Sequence, residues 1–390
     1  MKIAMCSKGV FSLELGATKN RIELAEGLKK MGWEATLIDK QLLGVDVELI
    51  SAEAAVYNTA LKNYLILHAM EYDVVLYEYD SLPFDRNLFD PSTLFVARPA
   101  ILAYHLQEIK FNLNLKTKLR DSFMTVKNKI TGQYKKVDAY YKNVDYSLSQ
   151  ADLIQVQNKK DYQLLVQKGF TKEKIEIIPN GISAERIEKF AIDNKKYNGA
   201  PVIAYVGTFD FRKGAMDFPL IFNRLKGEFK DLKLKLFGTR GLFATAEQVL
   251  DFFPAKYHSS IEVVPRFKAE DLPMLLSGCG VGIFPSYLES FGFGALEMMC
   301  AGLPVVAYDS PGPSDFILSD LLVSTGDYKG LADKVKMLLK DRSLLEQKSV
   351  AAHKLVVEKH NWEDIAKTVD SCYKKRLGNL REVNLSISSN

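Results

Sequence analysis

Apolar residues near the start of the chain form short continuous runs that alternate with stretches of helical spacing. The run IAMC at residues 3–6 predicts a buried strand. In TKNRIELAEGLKKMG the apolar positions recur every three or four residues, and Gly32 follows the last lysines, where a helix end favours a residue that tolerates positive φ. The run ATLI then predicts a second strand. This order is typical of a parallel sheet covered by helices.

The same alternation continues along the chain and is interrupted once. The runs DVVLYEY, ending at Tyr79, and PAILAYH, ending at His105, predict further strands, and AEAAVYNTALKNYLILHAM predicts a helix. At KFAIDNKKYNGAP, residues 189–201, polar residues replace the periodicity, and strands and helices then alternate again through PVVAY. We therefore expect two doubly wound α/β domains, over residues 1–188 and 201–360, joined by a linker at 189–200.

The composition excludes several classes of protein. Apolar residues make up 47% and charged residues 26% of the 390, which rules out a collagen-like, disordered or coiled-coil chain. The net charge of +4 neither favours nor excludes nucleic acid. The four cysteines lack disulfide-framework or zinc spacing, so we expect a reducing cytoplasm. No run of about 18 uncharged apolar residues occurs, and Lys8 interrupts the first apolar run, so no signal peptide or spanning helix is expected.

The most informative stretch is FPSYLESFGFGALEMMCAGLPVVAY. A predicted strand runs into Glu289, the small residues Gly292 and Gly294 follow, and Glu297 lies in the first turns of a helix. Small residues allow a ligand to approach the backbone, and a helix start directs free N–H groups at an anion such as a diphosphate. The two carboxylates can accept hydrogen bonds from two separate sets of hydroxyls, as a sugar nucleotide presents. The alternative is a strand-helix turn with two solvated glutamates.

A second candidate element is VGTFDFRKGAMD, directly after the first strand of the second predicted domain. Arg212 and Lys213 lie in a loop that ends at Gly214. Two cations at this place would neutralise a departing nucleoside diphosphate without a metal ion. An Arg-Lys pair in a loop is otherwise usually solvent-facing, and only its place after a strand of this fold favours the functional interpretation.

These two stretches resemble the signature of GT-B glycosyltransferases, and most closely that of glycosyltransferase family 4, the group 1 glycosyltransferases. The resemblance implies a GT-B fold, in which two Rossmann-like domains face each other across a cleft. In that family the equivalent of Glu289 contacts hydroxyls of the donor sugar. The amides that follow it, here those of Ser290, Phe291 and Gly292, hold the diphosphate, and the equivalent of Glu297 holds the ribose hydroxyls.

The cationic loop departs from the family pattern at one position. Family members commonly carry an arginine after the first glycine of this segment, whereas here Thr208 follows Gly207. The resemblance therefore leaves two possibilities open: Arg212 supplies the second cation beside Lys213, or Lys213 acts alone.

The first predicted domain resembles the family at further positions. Gly16 resembles the glycine loop that closes over the donor diphosphate, although relatives have two adjacent glycines. His105 resembles a histidine near the donor sugar and the reacting centre, and the alternative is a structural hydrogen-bonding role. The turn at residues 179–181, Pro-Asn-Gly, resembles the end of the family's first domain, and a helix at 361–380 resembles the one that crosses back onto it.

The resemblance implies a retaining transfer of a hexose-type sugar from a nucleoside-diphosphate sugar to an acceptor hydroxyl of a glycan, glycolipid or small molecule. Neither a cofactor nor a metal is expected, and the catalytic residues would be Glu289, His105, Lys213 and Arg212. The acidic triple at residues 78–80, Glu-Tyr-Asp, mimics the metal motif of a different glycosyltransferase fold, and we interpret it as a strand end.

Other classes of function stay open to different degrees. A sugar-nucleotide-binding subunit without turnover is favoured by the single glycine at Gly16 and by Thr208. Three other enzyme classes fit this sequence less well. The two-glutamate pattern present here is lacking in an epimerase, and a glycosyl phosphorylase would need a lysine-bound cofactor and a longer chain. A nicotinamide dehydrogenase would need a GxGxxG at the first helix, which this sequence does not have.

The segment at residues 110–142 is the candidate acceptor-side surface. From residue 106 to residue 145 there are nine basic and four acidic residues, with aromatic residues interleaved. Such a segment suits peripheral contact with an anionic membrane and a lipid-linked acceptor, or it is a solvated helical face. We expect a cytoplasmic protein, with the inner face of the membrane as a further location, and no nucleic-acid partner.

Overall fold

The computed structural model divides the chain into two compact units. It describes residues 1–12, 16–45, 53–112, 133–191 and 201–388. The first unit consists of Met1–Leu102, Thr125–Gly181 and Trp362–Asn390. The second consists of Ala103–Met124 and Ile182–Asn361.

The first unit is built on a parallel sheet of six described strands in the order β2-β1-β3-β4-β5-β6. The strands are β1 (Lys2–Ser7), β2 (Glu34–Asp39), β3 (Val74–Glu78), β4 (Leu94–Arg98), β5 (Leu153–Val156) and β6 (Ile175–Ile177). Its described helices are α1 (Gly16–Lys30), α2 (Glu53–His68), α3 (Gln133–Gln150), α4 (Lys159–Gln167) and, last in chain order, α13 (Trp362–Ser388).

Helix α13 completes the core of the first unit. Its buried apolar side chains pack with those of α1 and of the sheet. Two tryptophans fasten it: Trp33 Nε1 donates to Asp370 at 2.7 Å, and Trp362 Nε1 donates to Glu23 at 2.7 Å. Tyr373 also donates a hydrogen bond to the buried Gln155 of β5. The C-terminal part of the chain therefore forms part of the first unit.

The predicted strand PAILAYH is wrong, and the strand lies one segment earlier. Leu94–Arg98 form β4, with all five residues buried, whereas Ala103–Gln107 form a 3₁₀ helix. Pro99 explains the difference, because proline has no N–H to donate to a sheet ladder and ends the strand at Arg98. His105 therefore lies in a 3₁₀ helix.

The second unit repeats the architecture with six described parallel strands in the order β12-β11-β10-β7-β8-β9. The strands are β7 (Val202–Val206), β8 (Lys233–Phe237), β9 (Ile261–Val264), β10 (Val281–Phe284), β11 (Val305–Tyr308) and β12 (Leu322–Val323). The described helices are α5 (Ala184–Ala191), α6 (Phe218–Lys226), α7 (Ala246–Leu250), α8 (Leu272–Leu276), α9 (Phe293–Cys300), α10 (Pro313–Phe316), α11 (Tyr328–Lys340) and α12 (Arg342–Lys359). The predicted doubly wound α/β class is confirmed.

The predicted linker at residues 189–200 falls inside the range of the second unit. Its first residues end α5, and residues 192–200 lie outside the described residues. Helix α5 buries Ile187 and Phe190 in the core of the second unit, so the residues from Ile182 onward pack there.

The prediction of a membrane surface at residues 110–142 falls mostly outside the described residues, since these exclude 113–132. Within the described ranges, no helix has both the length and the apolar character needed to cross a bilayer.

Candidate active site

Two loops of the second unit follow the neighbouring strands β7 and β10 and bring most of the predicted site residues together. The strands pair in parallel, with Val281 beside Ile203, so their carboxyl ends lie at the same edge of the sheet. The loops touch, since the Tyr287 N–H donates to the Arg212 carbonyl oxygen at 2.8 Å. This edge is where open parallel sheets bind ligands.

The loop after β7 is shaped by Asp210 and Gly214. The Asp210 carboxylate accepts the Lys213 N–H at 3.0 Å and the Thr208 hydroxyl at 3.1 Å, which closes the turn at Phe211–Lys213. Gly214 has a φ of 86°, and a Cβ there would overlap the Pro285 carbonyl oxygen. Glycine is therefore required for this loop to pack against the end of β10.

Lys213 and Glu289 form a buried ion pair between the two loops. Lys213 Nζ contacts Glu289 Oε1, and the side chains are 14% and 8% exposed. The Ser286 hydroxyl donates to the same carboxylate oxygen at 2.7 Å. Burial lowers the pKa of Lys213, while the Glu289 charge opposes that change. Because the pair is buried, its charges would interact more strongly with a bound ligand than charges in water do.

Arg212 supports the loop that carries Glu289. Its Nη1 donates to the Leu288 carbonyl oxygen at 2.8 Å, and its Nη2 lies 3.9 Å from Asp210. The Thr208 carbonyl oxygen accepts a hydrogen bond from the Tyr205 hydroxyl at 2.8 Å. The Gly207 N–H donates to the Phe237 carbonyl oxygen at 2.9 Å. Both cations thus lie at the loop-loop contact, and Thr208 is held within its own loop.

Helix α9 begins at Phe293, shortly after Glu289 and Ser290. Gly292 caps it with a φ of 96°. The Phe291 ring packs against those of Phe293, Phe316 and His360, so Phe291 can offer a ligand only its backbone. Gly294 serves helix-strand packing, because a Cβ there would overlap the Val206 carbonyl oxygen at the end of β7.

Glu297, on the same helix, is paired with an arginine that sequence reasoning missed. Arg186 of α5 donates through Nη2 to Glu297 Oε1 at 2.6 Å, and the side chains are 16% and 11% exposed. The two residues are 111 positions apart in the chain, so no local spacing connects them. The amphipathic pattern of α5 was the available signal that this segment packs on a core.

Two other predicted residues belong to neither of these two loops. Gly16 is the first residue of α1 in the first unit. His105 is half-buried in the 3₁₀ helix Ala103–Gln107, which belongs to the second unit. In the Pro-Asn-Gly turn, Asn180 accepts a hydrogen bond from the buried Arg98 at the end of β4.

The carboxylates of the acidic triple are paired with cations. Glu78 is the last residue of β3, as the strand-end interpretation expects, and lies 3.0 Å from Arg21. Asp80 lies 2.7 Å from Lys8. Across the ranges that the structure describes, no three or more histidine, cysteine, aspartate or glutamate residues are grouped to hold a metal ion.

Comparison with known proteins matches the second unit to one family. Residues 186–355 match the family "Glycosyl transferases group 1". The capsular polysaccharide biosynthesis glycosyltransferase CapM of Staphylococcus aureus is 23% identical over 234 residues, which are 57% of this chain and 61% of that protein. Against the next curated relatives, the chain spans about half of their length.

Solved structures also resemble this chain over nearly its whole length. The sucrose-phosphate synthase of Thermosynechococcus elongatus has a TM-score of 0.73 at 19% identity, covering 97% of this chain and 99% of that one. HepE of Anabaena, solved in complex with UDP, has a TM-score of 0.67 at 15% identity, covering 96% and 100%. At this identity the likeness is one of fold.

Proposed function

We propose that this chain transfers a sugar from a nucleoside-diphosphate sugar to an acceptor hydroxyl. Through residues 186–355 it belongs to the group 1 glycosyltransferases, and it has their GT-B fold. The observation that carries this proposal is the buried pair of Lys213 and Glu289 where the loops after β7 and β10 meet. Helix α9 begins four residues after Glu289, and its free N–H groups suit a diphosphate.

Each site residue has a role in this proposal. Glu289 accepts hydrogen bonds from the donor sugar, and Lys213 stabilises the leaving diphosphate with the support of Arg212. Glu297, oriented by Arg186, accepts hydrogen bonds from the ribose hydroxyls. A fixed cation can do the work of a metal ion, which supports a metal-independent reaction. Retention of configuration and a hexose-type sugar belong to the same proposal and rest on the family resemblance.

The nucleotide is the first property to test. HepE has been solved with UDP and with UDP-glucose, so UDP is the first candidate. We would measure the thermal stability of the full chain with UDP, GDP and ADP and with their sugars. A nucleotide at 100 times its dissociation constant adds about 2.7 kcal/mol to the free energy of unfolding.

Two variants separate binding from turnover. Glu297→Ala should weaken nucleotide binding, whereas Glu289→Ala should lower kcat more than binding, because sugar contacts can strengthen in the transition state. Activity should survive EDTA. If no nucleotide stabilises the wild type, the proposed site is wrong. Nucleotide binding without transfer or hydrolysis of any sugar nucleotide would instead favour the subunit without turnover.

A further inference from the structure

The hydrogen bonds of Asn112 hold the segment that carries His105 in place within the second unit. The described part of this segment is Ala103–Asn112. Asn112 Nδ2 donates to Asp217 at 2.9 Å and to the Gly326 carbonyl oxygen at 2.9 Å, and the Asn112 N–H donates to the Tyr287 hydroxyl at 3.1 Å. The Asn112 side chain and backbone thus both hold the end of the segment.

The acceptor at the centre of these contacts is a fully buried carboxylate. Asp217 is 0% exposed, and its Oδ2 accepts the hydroxyls of Tyr287 at 2.7 Å and Tyr308 at 2.8 Å. A buried anion is tolerated when several donors surround it. Burial raises the pKa of Asp217, and the three donor side chains oppose that rise.

Asp217 lies where the two loops of the site meet. It follows Gly214 in the segment that carries Lys213, while Tyr287 precedes Glu289 in the other loop. The Tyr287 N–H also donates to the Arg212 carbonyl oxygen. The Tyr287 hydroxyl therefore accepts from Asn112 and donates to Asp217, which links the His105 segment to both loops.

We propose that Tyr287 is a positioning residue. Its hydroxyl, which donates to Asp217, accepts the Asn112 N–H and so keeps the His105 segment and the Glu289 loop in a fixed relation. The inference rests on the proposed function, because it assigns His105 and Glu289 to the same reaction. A structural role without consequence for catalysis is the competing interpretation. The two tyrosines of the cluster distinguish the two.

Tyr287→Phe and Tyr308→Phe form a matched pair. Each removes one hydroxyl that donates to the same oxygen of Asp217, but only the Tyr287 hydroxyl also accepts the Asn112 N–H. We would measure hydrogen exchange of a peptide ending at Asn112, together with kcat and KM for the donor, in the full chain. Asn112→Ala is the second test of the link.

In Tyr287→Phe, hydrogen exchange of the Asn112 backbone N–H should become at least about 10-fold faster, because that group loses its acceptor. The kcat should fall about 10-fold, while the KM for the donor should stay within about 2-fold of wild type. Asn112→Ala should lower kcat similarly. Tyr308→Phe should leave both near wild type. Unchanged exchange in Tyr287→Phe, or equal effects of the two tyrosine variants, would overturn the proposal.

The proposed function can fail separately. A wild-type chain that neither binds nor turns over a nucleotide sugar would overturn the proposed function and, with it, the catalytic part of this inference. Exchange at Asn112 in the two tyrosine variants would still decide whether the hydrogen-bonded link exists.

Discussion

Gly294→Ala tests whether the contact between α9 and β7 sets the geometry of the site. A Cβ at Gly294 would lie 1.9 Å from the Val206 carbonyl oxygen and 2.8 Å from the Val206 carbonyl carbon. Both atoms are backbone, so no side chain can rotate away. The start of α9 and the end of β7 must separate.

The size of the displacement follows from these distances. Real Cβ contacts essentially never fall below 3.0 Å, so the 1.9 Å separation must grow by about 1.1 Å. A misplacement of about 1 Å costs on the order of 100-fold in rate when it moves catalytic groups. Overpacking of this kind also destabilises a fold by about 1–3 kcal/mol.

We would measure kcat/KM for sugar transfer at a temperature well below the Tm of each variant. Gly227→Ala is the control in the same unit, because Gly227 has a φ of −61° and the nearest atom to its Cβ is 3.4 Å away. It should behave as wild type. Wild-type kcat/KM in folded Gly294→Ala would refute the argument that this packing places Glu289 relative to Lys213.

Two further predictions concern the charged pairs. Because burial lowers the pKa of Lys213, this side chain should lose its charge as the pH rises through a value below the usual 10.5, and kcat/KM should fall on the alkaline side. Lys213→Arg, which stays protonated, should move that fall to higher pH, and an unchanged pH profile would contradict the role of Lys213. Arg186→Ala leaves Glu297 without this cation, so calorimetry should show nucleotide affinity about 10-fold weaker with kcat little changed. Wild-type affinity would make the pair purely structural, and Arg186→Lys tests whether charge alone suffices.

The strands of the second unit could be predicted from local pattern, because buried parallel strands are continuous apolar runs bounded by turns. The runs that became β7 and β10 are examples. The same rule misplaced β4, since two apolar runs lie side by side and both satisfy the pattern. The position of Pro99 decides between them, through a missing hydrogen-bond donor rather than through hydrophobicity.

The local motifs of the site could be predicted in the same way, whereas their partners could not. Glu289 and Lys213 each stand in a recognisable loop, and the structure brings them into contact. Arg186 and Asn112 reach Glu297 and Asp217 from 111 and 105 positions away. Such pairings depend on how whole elements pack, and no short-range spacing encodes them.

The place of α13 in the first unit has a consequence for synthesis on the ribosome. The core of that unit includes Trp362, Val369 and Tyr373, together with β1 and β3. While α13 is still inside the ribosome, the apolar face that it covers stays exposed. By then every residue of the second unit has been made, since that unit ends at Asn361.

We therefore expect the usual order, in which the N-terminal domain of a nascent chain finishes folding first, to be reversed here. The second unit can complete its core while the first still waits for α13. A premature stop after Asn361 would release a chain with a finished second unit and an unfinished first unit, whose exposed apolar face would make it a substrate for chaperones.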